Sequence, residues 1–148
     1  MQLTRHTDYA LRLLIHLAHA ETANGEGARV QVAEVADAHR ISKAHLLKVA
    51  NTLARLGFVE TIRGRGGGLR LARPASAINL AEVVCGTEPG TTMVQCGSCG
   101  LIAGGCRLPG IFAESFEAFR AVLARHSLAD LMARPEGFFP PGQAATAS

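Results

Sequence analysis

Apolar positions in the first sixty residues recur at helical spacing. Leu11, Leu14, Ile15 and Ala18 fall on one side of a helix running from near Asp8 to about Ala20. Thr7 or Asp8 supplies a short oxygen-bearing side chain to cap its first amides. A polar, glycine-containing stretch, residues 21–28, interrupts the pattern. Val32, Val35 and Ala36 then predict a second helix over about 32–38. His39-Arg40-Ile41-Ser42 reads as a tight turn, and Ser42 as the cap of a third helix over 43–56. Leu46, Val49, Ala50, Leu53 and Leu56 form its inward stripe, and Gly57 stops it with a left-handed backbone.

The period changes at Phe58. Phe58, Glu60 and Ile62 alternate with Val59, Thr61 and Arg63. After the Gly64-Arg65-Gly66-Gly67-Gly68 tip, Leu69 and Leu71 alternate with Arg70 and Ala72, which predicts a β-hairpin. A short helix follows Pro74, from Ala77 or Leu80 to Cys85. Pro109 marks the start of a long helix over about 110–126, with Ile111, Phe112, Ser115, Phe116, Phe119, Val122 and Leu123 on one side. A short last helix is expected over 127–133, and residues 135–148, rich in Pro, Gly and Ala, as a disordered tail. The fold class is mainly α: a winged helix-turn-helix domain with a β-hairpin wing, plus a long C-terminal dimerisation helix. The expected division is 1–80 for the winged domain, 81–109 for a connecting helix and cysteine loop, and 110–134 for dimerisation.

Composition narrows this picture. The 148 residues are 48% apolar but only 5% aromatic, with no Trp, so the core is aliphatic. A net charge of +3 permits nucleic-acid binding without demanding it, so charge placement must carry that argument. No apolar run approaches the roughly 20 residues of a membrane span, and the start lacks a signal peptide's apolar stretch. The expectation is a cytoplasmic protein without a membrane role. In a reducing compartment its four cysteines suggest metal ligation or redox sensing before disulfides.

Opposite its inward stripe, the third helix carries Lys43, His45, Lys48, Asn51, Thr52 and Arg55, with Ser42 at its start. Base edges in the major groove meet the N-terminal part of such a helix. Ser42, Lys43, His45, Lys48 and Asn51 are therefore the expected readers. The hairpin adds Arg63, Arg65 and Arg70. An arginine at a glycine-flanked tip suits a narrow minor groove, where the negative potential is enhanced. The glycine run is not a phosphate loop, because no Gly-Lys-Ser/Thr follows it.

Cys96-Gly-Ser-Cys99-Gly-Leu-Ile-Ala-Gly-Gly-Cys106 gathers three thiols in one glycine-rich loop. Thiolate sulfur suits iron–sulfur clusters and zinc, and spacing alone leaves both open beside a metal-free thiol switch. Three ligands leave one position of a cubane for a further donor. Cys85 is one candidate, although a buried structural role is the commoner one for a helix cysteine. Asp8 is another. Cys96-x-x-Cys99 also resembles a thioredoxin-like pair, but the βαβ context of that motif is missing. His6, His16, His19, His39, His45 and His126 are scattered without an evident nucleophile partner. No enzyme activity is expected.

Met1-Gln-Leu-Thr-Arg-His-Thr-Asp-Tyr-Ala-Leu-Arg12, the Gly64–Ile78 segment, Cys106-Arg-Leu and Ser127-Leu-Ala-Asp-Leu131 resemble the NsrR-type nitric-oxide-sensing repressors. That winged-helix group also holds IscR and RirA. The resemblance covers about residues 1–133. It implies a homodimer crossed by the long helices, reading palindromic operator DNA. Each subunit would hold an iron–sulfur cluster on Cys96, Cys99 and Cys106, [4Fe-4S] in preference to [2Fe-2S], with Asp8 of the other subunit as fourth ligand. Nitric oxide would be the signal. Iron level or oxidative stress is the alternative signal, and a zinc-stabilised interaction module the alternative class. The cysteine gaps here are two and six residues, where the family spaces them more evenly. Pro109 stands where an IscR-type site places a histidine, which favours the NsrR-type ligand set.

Overall fold

The computed structural model describes residues 2–90, 94, 96, 99–100 and 105–132. The expected tail lies outside them, as do residues 133–134. Helix α1 spans Arg5–Asn24, α2 Val32–His39 and α3 Lys43–Arg55. An antiparallel hairpin follows, β1 Val59–Ile62 and β2 Gly68–Leu71. Beyond a 3-10 turn at Ala75–Ala77 come α4, Leu80–Thr87, and α5, Leu108–Leu123. This is the mainly helical fold with a two-stranded wing that the pattern predicts.

Helix α1 starts earlier than the apolar pattern suggests. Thr4, not Thr7 or Asp8, is its cap, its hydroxyl accepting from the Thr7 amide at 3.3 Å. Thr7 is buried, and Asp8 sits in the first turn. The buried face of α1 is Ala10, Leu13, Leu14, Leu17 and Ala18, while Leu11 and Ile15 are only half-buried. The core-facing stripe is thus rotated from the expected one, because neighbours on two sides of α1 decide what is covered. Together α3, α4 and β2 pack on this helix.

The turn between α2 and α3 forms as read. Arg40 takes a left-handed φ of 54°, and Ser42 Oγ accepts from the His45 amide at 3.3 Å. Leu46, Val49, Ala50 and Leu53 are buried, with Leu56 half-buried just beyond the helix. The wing is short, and β1 does not alternate cleanly: Val59 is buried, but Glu60 and Thr61 are both exposed. Phe58, just before β1, is buried with it. Val30 adds a bridge to Leu69, with paired backbone bonds of 2.9 and 2.8 Å, which ties the segment before α2 to the wing. At the tip, a Cβ on Gly67 would strike the carbonyl oxygens of Ile62 and Gly64, so only glycine fits there.

The C-terminal part departs from expectation in three places. Cys85 on α4 is exposed, which removes the buried structural role. The last helix is only a 3-10 turn, Ala129–Leu131, entered through Ser127, whose amide donates to Asp130 Oδ2 at 2.7 Å. Helix α5 takes Pro109 into its first turn and ends at Leu123. The chain then returns to α4: the Leu128 amide donates to Ile78 O at 2.8 Å, the Leu80 amide to His126 O at 3.0 Å, and Leu128 is fully buried.

Candidate nucleic-acid interface and metal centre

The stripe that buries α3 leaves its other face in solvent. Ser42, Lys43, Lys48 and Asn51 are exposed there, and His45 is half-buried. These five residues therefore share one surface. Ser42 already uses its hydroxyl as the helix cap. The His45 ring rests edge-on against Tyr9 of α1, centroids 5.0 Å apart, so α1 orients one of the candidate readers. Leu47 is also exposed, at 43%, among the polar residues of this face. Reading by charge alone missed it. Its position off the 46–49–50–53 stripe was the available signal.

On the wing, Arg63 and Arg65 are exposed, and among the described residues no ion pair engages either. Arg70 behaves differently. It faces Glu60 across the hairpin and binds it through Nη2 at 2.6 Å and Nε at 2.8 Å, so its charge is already matched. Arg29 reaches the tip from the loop before α2, its Nη1 donating to Gly66 O at 3.2 Å. Gln31 Nε2 donates to Gly67 O beside it. Arg29 is a further wing cation that the sequence pattern did not single out.

Cys96 is half-buried, Cys99 and Cys106 are exposed, and all three are free thiols. The Cys99 amide donates to Cys96 O at 3.0 Å, which holds the two cysteines close. Cys106 stands two residues before α5. Three unpaired thiols on one loop are a donor set that fits a soft metal. Among the described residues, however, no three His, Cys, Asp or Glu groups lie close enough together to hold a metal ion.

Asp8 is engaged elsewhere, with its carboxylate on Arg12 Nε at 3.0–3.1 Å one helical turn away. Glu88, just past α4, accepts from the Thr4 amide at 2.8 Å and the Thr4 hydroxyl at 3.1 Å. Burial opposes ionisation of Glu88, but hydrogen bonds from Thr7 and Thr4 outweigh it and hold its carboxyl below the ordinary range. The segment entering the cysteine loop is thereby tied to the start of α1. No helix among the described residues is long and apolar enough to cross a membrane.

Residues 3–134 match the Rrf2 family, described as "Iron-dependent Transcriptional regulator". The HTH-type transcriptional regulator NsrR of Shouchella clausii (strain KSM-K16) is 42% identical over 137 residues, 89% of each chain. NsrR of Bacillus subtilis (strain 168) is 41% identical over 140 residues, covering 92% of this chain and 93% of its own. Among solved structures, T. potens IscR superposes with a TM-score of 0.70 at 19% identity, over 89% of this chain and 86% of its own. CymR, the global cysteine regulator of B. subtilis, gives 0.68 at 24% identity, over 88% and 95%. Both structures share the fold seen here. The relatives are regulators rather than enzymes, and a winged helix-turn-helix with an exposed basic face on α3 agrees with them: this chain belongs to the Rrf2 family of transcriptional regulators.

Proposed function

We propose that the chain is an NsrR-type repressor: a homodimer that holds palindromic operator DNA while an iron–sulfur cluster is bound, and releases it when nitric oxide damages that cluster. In this reading residues 1–80 grip DNA, 81–109 carry the thiols and 110–134 pair the subunits. The observation that carries it is the free-thiol loop of Cys96, Cys99 and Cys106, entered from Glu88 and leaving into α5. A cluster, when bound, supplies iron that reacts with nitric oxide, and [4Fe-4S] is preferred over [2Fe-2S].

The chain's own residues do the rest. Cys96, Cys99 and Cys106 offer thiolates. Asp8 of the other subunit is the proposed fourth ligand, and it must exchange the Arg12 guanidinium for that role. That exchange costs little, because an exposed i,i+4 ion pair contributes about 0.3–0.5 kcal/mol. Ser42, Lys43, His45, Lys48 and Asn51 of α3 enter the major groove, and Arg63 and Arg65 approach the minor groove or phosphates beside it. Glu88 on Thr4 and Tyr9 on His45 connect the loop's entrance to α3 through α1.

The test is anaerobic reconstitution, selection of a palindromic operator from random DNA, and gel shifts across a nitric oxide titration. Affinity is expected to fall at least tenfold as the cluster absorbance is lost. Unchanged affinity across the titration overturns the reading. The description of the matched family favours a second signal, iron itself. Release under iron chelation, with no release under nitric oxide, selects that reading instead.

A further inference from the structure

Two of the scattered histidines meet. His16 is a half-buried residue of α1, and His39 is the last residue of α2, where the left-handed Arg40 ends the helix. They are separated by 23 positions, yet His16 Nδ1 and His39 Nε2 share a hydrogen bond of 3.2 Å, whose bridging proton a metal ion would have to replace. The rings meet edge-on, centroids 5.3 Å apart and planes at 68°.

We propose that His16 and His39 form a two-imidazole clip for a nitrogen-preferring divalent cation such as Zn²⁺, joining α1 to α2 and separate from the cysteine loop. Two nitrogens held about 2.1 Å from one ion at an angle of about 100° are about 3.2 Å apart. That is the separation already present. Water completes the coordination.

The surroundings suit such a pair. Glu34 Oε1 lies 3.9 Å from His16 Nε2, the ring nitrogen that faces away from His39. A carboxylate on the far nitrogen of a ligand histidine keeps the proton there and leaves the near nitrogen's lone pair outward. Glu34 is 63% exposed, so its side chain has room to close the remaining gap. Burial, then His16 and Arg12, lower the pKa of His39 against an opposing pull from Asp8, which favours the neutral ring that a metal ion needs. The charges around the pair are two carboxylates, Asp8 and Glu34, and one guanidinium, Arg12, itself bound to Asp8. The consequence is mechanical, since α2 is the helix that precedes the reading helix α3, and metal here fastens it to α1.

The experiment uses the full chain with ¹⁵N-labelled histidine and added Zn²⁺. The thiols also take zinc, so binding is read at the ring nitrogens, where His6, His19, His45 and His126 serve as internal controls. The expected result is a joint shift of His16 Nδ1 and His39 Nε2 at about 10–100 μM Zn²⁺, with a melting temperature raised by about 3 °C. In His16→Gln and in His39→Gln the shift of the remaining ring should vanish, and the rise in melting temperature should fall to what zinc on the thiols alone gives. Circular dichroism in EDTA checks that these variants fold. Glu34→Gln should weaken binding two- to tenfold. Independent ring shifts, a response only above 1 mM, or an undiminished shift of the remaining ring in either single variant overturns the proposal.

Discussion

Arg65 and Arg70 sit five residues apart on the same hairpin and carry the same charge, but only one is available to a phosphate. Arg70 is bound to Glu60 through two nitrogens, whereas Arg65 lies exposed at the tip. Each phosphate contact contributes about 0.9 to the slope of log affinity against log salt. In a dimer Arg65→Ala removes one contact from each subunit, so it should lower operator affinity at least tenfold and flatten the salt slope by about two. Arg70→Ala should leave the slope unchanged, which gel shifts at several salt concentrations will read. The alternation of the strands was legible in the sequence, but the register was not. Without knowing that Glu60 faces Arg70, charge counting placed three equal arginines on the wing. Leu47 shows the same limit from the apolar side. It is exposed beside the proposed readers, where it would suit a thymine methyl, and a rule that assigns leucine to the core passes over it.

At the scale of elements, helices α2 and α3 were legible because one apolar stripe and a cap at Ser42 define them locally. Helix α1 was misread at its start because the deciding partner is distant. Thr4 caps the helix while Glu88, 84 positions away, binds both its amide and its hydroxyl. Hydrogen bonds to a charged acceptor contribute about 1.5–3 kcal/mol when sheltered, and less at this half-exposed site. Glu88→Ala should lower the melting temperature by several degrees. The pH dependence has a definite sign. The folded carboxyl is more acidic than its ordinary value of 4.5, so the unfolded chain binds more protons in the window just below that value. This stabilisation is complete above pH 4.5 and lost as pH falls through the folded pKa. Glu88→Gln should remove that part of the acid sensitivity, as thermal melts between pH 3 and 6 will show. A wild-type slope retained in the variant means that the tie to α1 contributes nothing.

For the whole molecule, the question is what α5 packs against. Sequence periodicity gave this helix an apolar side, and α4 is the element that packs on it here. No α5 side chain becomes buried in the single chain. Leu108, Ile111 and Val122 stay 46%, 54% and 48% exposed, while Phe116 and Phe119 are half-buried against each other with ring centroids 6.1 Å apart. A helix of 16 residues is about 24 Å long. Such a length of apolar surface is what a second copy can cover. Pairing through α5 would also place two reading heads on one palindrome, and linked heads bind far more tightly than either head alone. Ile111→Glu combined with Val122→Glu should convert a dimer to a monomer in sedimentation equilibrium. Operator affinity should drop more than tenfold, with the far-ultraviolet circular dichroism of each chain retained. Because neither residue is buried, the fold should survive the change. A dimer that persists with both glutamates in place would move the subunit contact off this helix. The same result would require another explanation for its exposed apolar side.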